Sequence, residues 1–134
     1  MTITNDLREG NSVKYVWIMR KRYRPAVGAP KSSLVRADAI SYLSMRENQV
    51  RASSVPGSDE IVVLADTADG GHGAPGLPED FHTDLLFAVA VARRDARDAT
   101  DDGDEEDRIL MAQLEEGNWV WKMFRPSEPE PKPS

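Results

Sequence analysis

The stretch Gly71-His72-Gly73-Ala74-Pro75-Gly76 has the G-x-G-x-x-G spacing of a dinucleotide-binding loop, after an apolar run and before a helical pattern. That chemistry requires the glycines to form the strand-to-helix turn itself, so that a pyrophosphate meets the helix N-terminus. Here Gly71 comes six residues after Ala65, Pro75 and Pro78 interrupt the approach, and no βαβ pattern surrounds the motif. The spacing therefore reads as a surface loop. In the same loop Asp66, Asp69 and His72 are spaced like metal ligands, but nothing nearby in sequence supplies a fourth. Asp98, Asp102, Gly103 and Asp104 imitate part of a calcium loop, yet Thr100 and Ile109 stand where such a loop needs oxygen ligands.

Nucleophilic chemistry is equally thin. The chain has no cysteine, which removes disulfides, thiolate nucleophiles and Cys-type zinc sites together. It has two histidines, His72 in the loop and His82 one turn into the helical pattern, and no G-x-S-x-G elbow. The acidic residues are many, but in an exposed run nothing tunes them for proton transfer. The expectation is no catalytic, cofactor-binding or metal-binding residue. A nucleotide- or metal-dependent enzyme centred on residues 66–76 is the distant alternative.

Charge is the stronger signal. Residues 1–58 carry ten Lys/Arg against four Asp/Glu, whereas residues 59–134 carry seven against nineteen, beneath an overall net charge of −6. A segregated distribution of this kind sets up a directional field that governs which partners approach. Two clusters carry it. Lys14, Arg20, Lys21, Arg22 and Arg24, interleaved with Tyr15, Trp17 and Tyr23, have the composition of a phosphate-contacting edge with stacking surfaces. The same residues would also suit an edge strand protected against aggregation, or an acidic partner. Asp101, Asp102, Asp104, Glu105, Glu106 and Asp107 would suit a basic partner, or simply a solvated connector.

The elements that must position these groups follow from periodicity. Residues 13–24 alternate, with Val13, Tyr15, Trp17, Met19 and Tyr23 on one face, where core packing competes with stacking. Val16, Ile18, Arg20, Arg22 and Arg24 lie on the other. Residues 34–45 are ambiguous between a helix over 33–46 and a strand that turns near Glu47-Asn48 into a second strand at 50–55; the hairpin is preferred. A short echo between residues 35–40 and 50–55 falls short of a repeat. A turn at 56–59 leads to a strand at 61–65. Pro78 and the acidic Glu79 and Asp80 announce a long amphipathic helix over 78–97, with Phe81, Leu85, Ala88, Val89, Ala92 and Ala96 at helical spacing. Its eight-residue apolar run, Leu85 to Ala92, is the longest in the chain and too short to span a bilayer. A last hairpin is expected over 109–124 with its turn at Gly117-Asn118, so that Leu114 faces Trp121 and Met111 faces Phe124.

These elements predict an α+β fold: a mostly antiparallel sheet of about six strands packed against the one helix. The expected organisation is a flexible N-terminus at 1–12, one domain at 13–125 with an acidic loop at 98–107, and a disordered proline-rich tail at 126–134. The polar start carries no secretory pattern, and a cysteine-free chain suits a reducing cytoplasm, or a virion if the chain is phage-encoded. The functional expectation is a small non-enzymatic interaction module acting by protein–protein contact, with itself as a homo-oligomer among the candidate partners. Phage-encoded or toxin-neutralising accessory proteins fit this profile. A nucleic-acid-binding accessory protein using the basic strand is the alternative.

Overall fold

A computed structural model describes residues 14–54, 60–99 and 103–132. The expected flexible N-terminus at 1–12, the turn at 56–59, and Asp101 and Asp102 lie outside the described residues. The elements in chain order are β1 (Val16–Lys21), β2 (Ser32–Arg36), β3 (Tyr42–Arg46), β4 (Gln49–Ser53), β5 (Val62–Asp66), α1 (Phe81–Asp98), β6 (Arg108–Glu115) and β7 (Asn118–Phe124). Short 3-10 turns at Ala37–Ala39 and Thr67–Gly70 separate β2 from β3 and follow β5.

The fold is α+β, as expected, but the strands form two sheets rather than one. Four strands run in the order β2-β1-β6-β7 and three in the order β3-β4-β5. The extra strand comes from the segment expected to be continuous. The 3-10 turn at 37–39 divides it, sending β2 to pair with β1 and β3 to pair with β4. The helix considered for 33–46 does not form. All pairings are antiparallel except β1 with β6, which run parallel. β1 is therefore interior to its sheet, and the protected-edge reading of its cations falls.

Both faces of β1 pack, against different clusters. Val16 and Ile18 are buried beneath α1 and the smaller sheet with Val50, Ala52, Leu64, Phe81, Leu85, Val89, Ala92 and Leu110. Trp17 and Met19 point the other way, into a smaller cluster with Ile109, Met111 and Phe124. Both faces of the larger sheet thus bury apolar groups, and the larger core took the β-branched pair rather than the aromatic one.

Two tight hairpins fix register. In β3–β4 the turn residues Glu47 and Asn48 both have positive φ, 54° and 61°, and in β6–β7 Glu116 and Gly117 have 52° and 82°. Positive φ at both central positions suits the right-handed twist of a two-residue hairpin. The second turn lies one residue earlier than expected, so Leu114 pairs with Trp119, Ala112 with Trp121 and Met111 with Lys122. The register moves by two residues, which preserves the side on which every residue lies.

Candidate interaction surface

The five cations singled out in sequence are gathered on and beside β1, and most are engaged within the chain. Lys14 Nζ donates to the carbonyl of Ala96 at the C-terminal end of α1 at 2.6 Å, where the helix dipole favours a cation. Arg20 lies on the core side of the sheet, in line with Val16 and Ile18. It pairs with Asp69 at 2.9 Å and reaches Asp66 at 3.6 Å. Burial pushes the Asp69 carboxyl above its ordinary value, against the opposing pull of Arg20. Lys21 pairs with Glu130 at 2.7 Å, and Arg22 donates to the Pro30 carbonyl. Arg24 stands over the Tyr23 ring at 5.6 Å. Of the aromatics, Tyr15 is covered by the Arg36 guanidinium at 4.0 Å, and the Trp17 indole donates to Asp107.

The acidic run acts as a clamp around one buried arginine. Arg108, with no exposed surface, donates to Asp95 at 2.7 Å, to Asp104 at 2.7 Å and to the Glu106 carbonyl. Arg125 reaches the same Asp104 oxygen at 2.9 Å. The Asp104 carboxyl is held down to about 2, chiefly by the backbone N–H of Glu106 and then by Arg108. Asp107 accepts from the Tyr15 backbone and from Trp17, and Glu106 accepts twice from Ser127. Glu105 remains exposed. The tail expected to be disordered from residue 126 follows this clamp, and its residues 129–132 lie beside Met111 and Gln113, with the Gln113 amide donating to the Pro131 carbonyl at 2.6 Å.

The glycine-rich loop needs its glycines for packing at Gly70 and for positive φ, 89° and 73°, at Gly71 and Gly73. Asp66 caps the 3-10 turn through the Ala68 N–H. A Cβ on Gly70 would stand 2.9 Å from Ala74, Leu114 and Trp119, and the Trp119 indole donates to the Pro75 carbonyl at 2.8 Å. His72 is exposed. No group of three or more His, Asp or Glu placed to hold a metal ion occurs among the described residues.

The surface that sequence reasoning missed is the outer side of α1. Its inner side buries Phe81, Leu85, Val89, Ala92 and Ala96. On the outer side Leu86, Phe87 and Val91 are 60%, 68% and 57% exposed, with Ala90 exposed between them. Leu86, Phe87, Ala90 and Val91 fall at helical spacing between Thr83 and Arg94, so the middle of the helix is apolar on two opposed sides. The signal lies in the run Leu85 to Ala92, whose Leu86, Phe87, Ala90 and Val91 fall opposite the stripe of Phe81, Leu85, Val89, Ala92 and Ala96.

That face is presented rigidly. At the start of α1, Phe81 stacks on Trp121 with ring centroids 4.7 Å apart, and the Trp121 indole donates to the Phe81 carbonyl. At its end, Asp95 is held by Arg108 and the Ala96 carbonyl by Lys14. Beside the helix a cleft of about 440 Å³ is lined by Ile40, Tyr42, Leu43, His82, Leu86 and Arg93. No described helix is long and apolar enough to cross a membrane. No known protein family, curated protein or solved structure matches the chain, so its function is read from this geometry.

Proposed function

We propose that the protein is a small non-enzymatic interaction module that works by contact with a protein chain. The observation that carries this reading is the uncovered stripe Leu86, Phe87, Ala90 and Val91 on α1. Isolated exposed apolar residues are ordinary, but a contiguous set on an anchored helix is the mark of an interaction site. Covering each of the three large side chains fully would contribute about 1.5–3 kcal/mol. Because the helix is pinned at both ends, little ordering cost would offset that gain.

The nucleic-acid alternative finds less support. Lys14, Arg20 and Lys21 already make the contacts described above, and Tyr15 and Trp17 are not free to stack. A capture experiment with the intact chain separates the readings. The wild-type chain is expected to retain a protein in stoichiometric amount, and Phe87→Asp to retain none while staying folded. Retention of nucleic acid that weakens steeply with salt, unaffected by Phe87→Asp, would replace this reading with the alternative.

A further inference from the structure

Building on that reading, we infer that the occupant of the exposed α1 face is the same face of a second copy, packed antiparallel across a two-fold axis. The argument is the self-complementarity of the stripe. A two-fold axis beside the helix midpoint, between Ala88 and Val89, sets Phe87 of one copy level with Ala90 of the other. A large side chain then packs over a small one twice, and Leu86 and Val91 flank the contact on either side. Thr83 falls level with Arg94.

Charge selects the same arrangement. Glu79, Asp80 and Asp84 cluster at the start of the helix, and Arg93, Arg94 and Arg97 towards its end, all exposed, with Asp98 4.0 Å from Arg97 in the last turn. In an antiparallel pair each acidic end meets the other copy's basic end, with Asp84 nearest Arg94. A parallel pair would set like charges together. The face carries four acids, Glu79, Asp80, Asp84 and Asp98, against the three arginines, so each copy brings a net charge of only −1 there despite the overall −6.

Sedimentation equilibrium of the full chain over a range of concentrations tests this. The wild type is expected to be a dimer that dissociates on dilution. Phe87→Asp and, separately, Ala90→Glu should give a folded monomer, as judged by an unchanged far-ultraviolet circular dichroism spectrum. Asp84→Arg and Arg94→Asp should each weaken the dimer by about tenfold or more, and the two together should restore it to within about threefold of wild type. Failure of the double reversal to restore pairing would overturn the antiparallel arrangement. A dimer unmoved by Phe87→Asp would overturn the choice of face. A monomer that captures a different protein through Phe87 would overturn the second copy while leaving the interaction reading standing. A monomer that captures nothing, or that binds only anionic lipid vesicles, would overturn both.

Discussion

Arg108 is the side chain on which the acidic end of the molecule turns. Its guanidinium is fully buried, and its partners are carboxylate and carbonyl oxygens contributed by the end of α1 and by residues 104–107. Removing a buried charge from such a pair leaves the partners without their counter-charge, so Arg108→Met is expected to cost about 2–4 kcal/mol in urea denaturation. Asp104 adds a pH dependence of definite sign. Its carboxyl falls from the ordinary 3.8 to about 2 on folding, so the stabilisation is complete above about pH 4 and is lost as the pH falls through about 2. Asp104→Asn should therefore flatten the stability curve between those two values, measured as unfolding midpoints across an acid series. Neither role was legible in sequence. Eight acids among residues 95–107 with Arg97 alone to oppose them look like a repelling, solvated run. The arginine that gathers them stands one residue beyond it, at a strand start where its burial depends on β6 pairing with β1.

At the scale of elements, the helix, β1, β4, β5 and the last hairpin were visible because their periods run long enough to outweigh local ambiguity. The division of residues 32–46 was not, because nothing in Ala37-Asp38-Ala39 announces a break. It is the two separate pairings, β2 on β1 and β3 on β4, that require one. What each face of β1 meets was hidden for a related reason: alternation identifies two faces without saying which partner each one packs on. The turns offer a quantitative test. Glu116 holds a φ of 52° that a residue with a Cβ adopts reluctantly, whereas Asn tolerates it. Glu116→Asn is expected to raise stability by about 0.5–1 kcal/mol, and Gly117→Ala, at a φ of 82°, to lower it by about 1 kcal/mol. Thermal unfolding read by circular dichroism would show the two midpoints moving in opposite directions. Gly70→Ala should also destabilise, through the 2.9 Å approaches to Leu114 and Trp119 rather than through backbone strain.

For the whole molecule, the charge division along the chain is converted by the fold into contacts. The parallel pairing of β1 with β6 lays the basic strand beside residues that follow the acidic run, and the pairs Arg20–Asp69 and Lys21–Glu130 join residues 49 and 109 positions apart. The overall imbalance could be read from sequence; such long-range pairings could not, since they exist only once the sheet is assembled. The tail completes this closure. Ser127 bonds Glu106, Glu130 pairs with Lys21, and the Pro131 carbonyl takes the amide of Gln113, a residue only 7% exposed. The exposed pairs contribute little singly, but prolines lower the entropy lost on docking, and Gln113 would be left with a buried amide unpaired. Ending the chain after Arg125 is therefore expected to cost about 1–2 kcal/mol. Because the Gln113 carbonyl oxygen already lacks a partner among the described residues, Gln113→Leu should recover most of that loss in the shortened chain while doing much less in the full one. Urea midpoints of the four chains measure the coupling directly. Equal effects of Gln113→Leu in both lengths would show that the tail is not what satisfies this side chain.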